Sequence, residues 1–135
     1  MLPRNKTINP SPRRVLIVDD DHLVADTLSV IFERSGFDAQ ARYSADDGLE
    51  YAREFRPHLL LCDISMPGRD GLSLMQDIVQ EMPACRILVL TGSYGNLKHI
   101  KECTDRIRGP VGLLTKPCPP EDLLRKATQI LFAGA

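Results

Sequence analysis

Leu59-Leu60-Leu61-Cys62-Asp63-Ile64-Ser65-Met66-Pro67-Gly68-Arg69-Asp70-Gly71 is the stretch whose reading decides the fold. Four apolar residues bounded by polar and turn signals fit a strand buried on both faces. A single carboxylate, Asp63, follows where that strand leaves the core, and Pro67, Gly68 and Gly71 demand a turn beside it. A carboxylate at the carboxyl end of a buried strand, next to a rigid loop, is a position suited to chemistry.

Working outward, the same pattern recurs. Val15–Val18 is a continuous β-branched and apolar run ending in Asp19-Asp20-Asp21. A helix follows, with Leu23, Val24, Thr27, Leu28, Ile31 and Phe32 at helical spacing, Asp21 to cap its start and Gly36 its end. Asp38 to Arg42 is a short, half-polar strand candidate. Ser44-Ala45-Asp46-Asp47 resembles a capping box opening a second helix, with Leu49, Ala52 and Phe55 inward and Pro57 preventing continuation. Beyond the opening stretch a third helix spans about Leu72 to Met82. Ile87–Leu90 is another buried strand and stops at Thr91-Gly92-Ser93. Leu97, Ile100 and Ile107 suggest a helix without fixing its limits. Val111–Leu114 forms the last strand, running into Thr115-Lys116-Pro117. The final helix carries Leu123, Leu124, Ala127, Ile130 and Leu131 on one face, with Pro119-Pro120, Glu121 and Asp122 at its start.

Strand then helix, five times over, requires parallel strands joined by crossover helices. The expectation is one doubly wound α/β domain over residues 13–135, with helices on both faces of a five-stranded parallel sheet, after a flexible leader over residues 1–12. The 135 residues suffice for one core. A formal net charge of −1 argues against non-specific nucleic-acid binding by bulk attraction. No apolar run approaches the roughly 20 residues of a membrane span. Cys62, Cys85, Cys103 and Cys118 lack metal-type or disulfide-type spacing, which fits reduced thiols in a cytoplasmic protein. His22, His58 and His99 are too dispersed to suggest a histidine-based site.

In a parallel sheet every strand's carboxyl end lies on one edge, so Asp19-Asp20-Asp21, Asp63, Thr91 and Lys116 converge from four strands. That edge is where open α/β sheets bind ligands. Crowded carboxylates repel one another unless a cation intervenes, and an all-oxygen donor set favours a hard ion such as Mg²⁺. A lysine and a threonine hydroxyl beside them suit a tetrahedral oxyanion. Phosphate chemistry is the inference.

These residues carry a resemblance. Val18–Asp21 (VDDD), Asp63–Gly71 (DISMPGRDG), Thr91–Ser93 (TGS) and Thr115–Pro117 (TKP), in this order and at strand ends, resemble the receiver domain of two-component response regulators. The resemblance implies a flavodoxin-like (βα)5 fold with strand order 2-1-3-4-5; a chemotaxis receiver is a standard example of that order, which the residues alone do not yield. It further implies that Asp63 accepts a phosphoryl group from a phosphohistidine on a sensor histidine kinase or phosphotransfer protein. Asp20 would bind Mg²⁺ directly and Asp19 through water, with the Asp63 carboxylate and the Ser65 backbone carbonyl completing the protein's share. Thr91 would grip the phosphoryl group and Lys116 neutralise one of its oxygens. The Lys116–Pro117 bond resembles one that is cis in the family. Such a protein is not an enzyme on other molecules; it catalyses only its own phosphorylation and dephosphorylation. Its partners would be the kinase and a downstream protein or fused output domain, with a phosphorylation-dependent homodimer through the face around the fourth helix and last strand as a further option; nucleic acid and membrane are not expected.

Three departures stand out. Leu113 occupies the position, three before Lys116, where the family places a switch aromatic. The segment around Asp105–Pro110 is longer than usual, and Cys118 stands where an aromatic often follows the lysine-proline pair. Ser65 and Ser93 fall at positions that resemble those tuning dephosphorylation. Two competing readings follow: a receiver-like interaction module whose output ignores phosphorylation, which Leu113 supports, and a haloacid-dehalogenase-type phosphatase using the Asp-x-Asp of Asp19–Asp21. Against the phosphatase, Leu23 replaces the threonine or valine that motif requires.

Overall fold

A computed structural model of the chain describes residues 11–64, 71–92, 105 and 111–132. The elements run β1 (Arg14–Val18), α1 (His22–Arg34), β2 (Asp38–Arg42), α2 (Ala45–Phe55), β3 (Leu59–Asp63), α3 (Gly71–Glu81), β4 (Arg86–Thr91), β5 (Val111–Thr115) and α4 (Pro120–Leu131). The strands form one sheet in the order β2-β1-β3-β4-β5, every neighbouring pair parallel.

The continuous apolar runs are explained by what alternate side chains meet. Leu16, Val18, Leu60, Cys62, Ile87 and Val89 face a cluster closed by Ala45, Leu49 and Ala52 of α2 and Leu74, Met75 and Ile78 of α3. Val15, Ile17, Leu59, Leu61, Leu88 and Leu90 face the other side, against Ala25 and Phe32 of α1 and Leu123, Ala127 and Ile130 of α4. Both sheet faces are buried, so neither tolerates polar alternation. Edge strand β2 is covered less completely and carries Gln40 and Arg42, hence its half-polar sequence.

Local signals act where expected. Asp21 caps α1 by accepting a hydrogen bond from the Val24 N–H (3.2 Å), and Ser44 caps α2 by accepting from the Asp47 N–H (3.1 Å). Gly36, at φ +95°, follows Ser35 at the end of α1. Arg56 closes α2 in the left-handed region, its N–H donating to the Ala52 carbonyl. The Lys116–Pro117 bond is cis.

One face assignment needs correction. Leu23 is 76% exposed and Thr27 is also exposed, because α1 is buried along Ala25 and Phe32, with Leu28 packed beside them. The small Ala25 side chain suits close contact with the sheet, and that turns Leu23 outward. The third helix starts one residue earlier than expected, at Gly71, and ends at Glu81. The leader's residues 1–10, the helix around Leu97, Ile100 and Ile107, and Ser65 and Ser93 lie outside the described residues, as does the longer segment apart from Asp105. Among the described residues no helix is long and apolar enough to cross a membrane. Cys62 and Cys85 are buried core thiols, and burial pushes the Cys85 thiol up to about 12 despite a backbone hydrogen bond at Leu60 that lowers it.

His58, just before β3, makes a pH-sensitive contact: its Nδ1 accepts a hydrogen bond from the Arg14 N–H at 2.9 Å. Burial, then the Arg14 and Arg13 charges, lower its pKa from 6.5. The folded state thus binds a proton less readily than the unfolded chain. The contact's contribution is complete above the unfolded value and is lost as pH falls through the lowered folded value. The urea midpoint of the wild type should therefore drop more between about pH 7.5 and about pH 5 than that of His58→Gln. Equal drops would show that His58 carries no such linkage.

Candidate functional site

The parallel register sets the site. Val18 pairs with Cys62, Asp63 with Leu90, and Thr91 with Thr115, so the next residues of β1 and β5, Asp19 and Lys116, emerge at the same edge as Asp63 and Thr91. The chain leaves β1 for β2 on one side, while β3 lies on the other. The edge between β1 and β3 is thus the topological switch point.

Asp19, Asp63 and Thr91 are the buried polar residues there among the described residues, at 2%, 8% and 1% exposure. Buried carboxylates require compensation, and Lys116 supplies it. Its Nζ lies 3.0 Å from Asp19 Oδ2 and 3.2 Å from Asp63 Oδ2. Asp19 Oδ1 also accepts the Asp21 N–H at 3.0 Å. Burial by itself would lower the lysine's pKa, but the Asp19 hydrogen bond and the Asp63 and Asp19 charges together raise it above its ordinary value. Lys116 is therefore a fixed ammonium at neutral pH. Its own backbone N–H is anchored on the Thr91 carbonyl at 2.8 Å.

Asp20 differs from its neighbour: it is exposed, yet one carboxylate oxygen each of Asp19, Asp20 and Asp63 lie within 4.8 Å of one another. Among the described residues, three carboxylates against one lysine leave an excess of negative charge, and the donors are hard oxygens. The set fits Mg²⁺ by charge and ligand chemistry. Asp19 has both oxygens engaged with protein groups, whereas Asp20 faces solvent.

Sequence reasoning brought these residues together and missed two features around them. The first is how closely α3 backs the site. A Cβ placed on Gly71 would lie 2.3 Å from the Asp63 carbonyl oxygen and 2.8 Å from Ile64 Cα, and the Gly71 N–H donates to the Ile64 carbonyl at 3.1 Å. The sequence signal was Gly71 itself, read only as a turn residue. Gly71→Ala must push backbone against backbone and is expected to cost about 1–3 kcal/mol in urea unfolding. A neutral result would mean that the β3–α3 junction yields. The second feature is a stacked pair at the rim, His22 on Tyr43 with ring centroids 3.8 Å apart, the Tyr43 hydroxyl donating to Asp26 Oδ1. No spacing rule joins those three residues, which meet only because β1 and β2 are neighbours.

A five-stranded parallel sheet in this order, with three carboxylates, a threonine and a lysine at its carboxyl edge, defines the class of receiver modules in phospho-signalling. The chain belongs to that family: residues 15–128 match the response regulator receiver domain model. Over 121 residues it is 27% identical to the uncharacterized transcriptional regulatory protein YesN of Bacillus subtilis (strain 168), covering 87% of this chain and 32% of YesN. The chain thus spans about a third of that relative's length. A CheY-like response regulator receiver domain protein from Methanospirillum hungatei JF-1 superposes with a TM-score of 0.80 at 28% identity, covering 90% of this chain and 94% of that one. A response regulator described as putative, from Chloroflexus aurantiacus J-10-fl, gives 0.77 at 30% identity, covering 89% and 98%. Membership sets aside the haloacid-dehalogenase reading. Receiver domains are signalling modules rather than enzymes acting on external substrates.

Proposed function

We propose that the chain takes a phosphoryl group from a phosphohistidine of a sensor kinase or phosphotransfer protein onto Asp63, and thereby changes which protein it binds. The observation that carries this reading is the Asp63 carboxylate held 3.2 Å from Lys116 Nζ, with the Asp19 and Asp20 carboxylates within 4.8 Å. An Asp63 oxygen forms the new O–P bond as the P–N bond to the donor imidazole breaks, and the departing ring nitrogen takes up a proton. Mg²⁺, when bound, supplies positive charge against the transferring phosphoryl oxygens. Asp20 and Asp63 would hold it directly, Asp19 through water, and the Ser65 carbonyl would complete the protein's share. Lys116 transfers its hydrogen bond from the Asp63 carboxylate to a phosphoryl oxygen, and the Thr91 hydroxyl donates to another. Little else is required, because phosphoryl transfer depends chiefly on positioning and charge neutralisation.

The donor has a surface available beside the site. An apolar groove of about 400 Å³ runs from Lys116 between Val24 and Leu28 of α1 and Leu123 of α4, and exposed Leu23 lies nearby on α1. Because receivers occur within longer regulators, the output is either a separate protein or a domain of the same polypeptide, and a phosphorylation-dependent homodimer belongs to the same reading. The domain itself occupies residues 13–135, preceded by the leader.

A second reading rests on Leu113, which is half-buried in β5 against the α2–α3 cluster. An aliphatic side chain there has no hydroxyl and no planar ring to exchange between positions. Phosphorylation would then be accepted without reaching the output face. Acetyl phosphate with Mg²⁺, followed by amide NMR, separates the two readings. Shifts that spread from Asp63 to Leu113 support the switch; shifts confined to the carboxyl edge support a module whose output ignores the phosphate.

A further inference from the structure

The opposite edge of the sheet, where the strands begin, has the reverse charge. Arg13 precedes β1 and Arg14 opens it, and Arg56 and His58 precede β3, so the parallel register gathers them at the amino edge. Arg14 Nε donates to the Arg56 backbone carbonyl at 3.0 Å, which holds the Arg14 guanidinium against the turn that ends α2. The Arg13 guanidinium lies 5.2 Å from the centroid of the Phe132 ring, which is 45% exposed. Among the described residues none of the three arginines forms an ion pair with a carboxylate. Of the acidic groups towards this edge, Asp38 lies across the register from Arg14, Glu33 Oε1 accepts the Ala39 N–H at 3.1 Å, and Glu81 is engaged with Arg53 at 2.9 Å.

The cluster borders concave space. Arg13, Arg14, His58 and Phe132 line a cavity of about 580 Å³, and Arg14, Arg56 and His58 line a second of about 280 Å³ together with Glu81, whose carboxylate is held by Arg53. Those volumes are of the order of small-molecule sites. His58 registers the local field, since after burial it is the Arg14 and Arg13 charges that disfavour its protonation. With Nδ1 accepting from the Arg14 N–H, the neutral ring carries its proton on Nε2 and offers a donor.

We propose that this amino-edge cluster is a binding site for a small molecule bearing two or more phosphate oxyanions, held by Arg13, Arg14 and Arg56 with His58 as a neutral donor. Guanidinium groups match phosphate oxygens in geometry as well as charge. Concavity favours a small ligand over a nucleic-acid backbone, which needs an extended basic stripe and would be opposed by the net charge of −1.

The test is an amide and histidine-ring NMR titration of the 135-residue chain with pyrophosphate and, separately, ATP. It is run without Mg²⁺ at an ionic strength of about 0.05 M, where screening is weak. Saturable shifts centred on Arg14, Arg56, His58 and Phe132, with a Kd of about 1 mM or tighter, are expected. Arg13→Gln and Arg56→Asn should each weaken binding about tenfold; asparagine at 56 tolerates the left-handed backbone. Unchanged acetyl phosphate uptake at the far edge verifies that both variants fold. Equal affinities for the two probes assign the site to free polyphosphate, and tighter ATP binding assigns it to a phosphate ester. No saturation by about 10 mM, shifts centred on the Asp63 edge, or tighter binding of a glutamate-rich peptide would each overturn the proposal.

Discussion

Asp63→Asn is expected to abolish phosphoryl uptake from acetyl phosphate and from any histidine kinase that serves the wild type. Intact mass then shows no phosphorylated species at times when the wild type is fully converted. The amide nitrogen cannot act as the nucleophile, and the loss is complete because, among the described residues, no neighbouring carboxylate occupies an equivalent position. Asp19 is buried with both oxygens engaged, by Lys116 and the Asp21 N–H, and Asp20 is exposed to solvent. The variant should nevertheless be no less stable than the wild type. It removes one of three carboxylates lying within 4.8 Å of one another and leaves the Lys116–Asp19 pair intact. A urea midpoint lower than that of the wild type would contradict this electrostatic account, and a residual mass gain would contradict the choice of acceptor.

The second large effect is expected at Lys116. Lys116→Met keeps much of the stem and deletes the charge, leaving Asp19 and Asp63 buried without their cation. Stranding a buried partner is strongly destabilising, and because the Lys116 side chain is 30% exposed the expected loss is reduced to about 2 kcal/mol in urea unfolding. The sign of the pH dependence follows from the raised lysine pKa. The pair's contribution is fully present below the unfolded lysine value and is lost as pH rises through the higher folded value. Wild type and variant should therefore differ at neutral pH and converge in alkali. Mg²⁺ should stabilise the variant more than the wild type, since it replaces the missing charge, yet uptake onto Asp63 should remain about 100-fold slower without the lysine's contact to the transferring oxygens. Equal Mg²⁺ responses would show that the ion and the lysine act on different carboxylates.

Much of this was legible in the sequence because strand order is irrelevant to one fact: parallel strands share a carboxyl edge. The runs before Asp19, Asp63, Thr91 and Lys116 marked four strand ends, and convergence followed without coordinates. The same rule applied to strand beginnings would have joined Arg13-Arg14 to Arg56 and His58, but charges ahead of a strand read individually as solvated residues. Leu23 was misassigned because its helical phase fits an inward stripe as well as the true one. Only packing shows that the α1 line runs through Ala25, a residue too small to stand out by hydrophobicity. The Lys116 link to both Asp19 and Asp63 was not legible either, since spacing brings groups to an edge but does not say which oxygen a flexible ammonium selects. Gly71 illustrates the remaining gap. Its turn chemistry is visible in the sequence, whereas its contact with the Asp63 carbonyl depends on the angle at which α3 leaves the sheet.

The most direct measurement is the location of the phosphoryl group itself. The chain is treated with acetyl phosphate and Mg²⁺ and then reduced with borohydride, which converts an aspartyl phosphate to homoserine, before peptide sequencing by mass spectrometry. Homoserine at position 63 alone, absent when Mg²⁺ is omitted, is the result expected from the site geometry. Homoserine at 19 or 20, or a fully phosphorylatable protein with Asp63 unmodified, would contradict it.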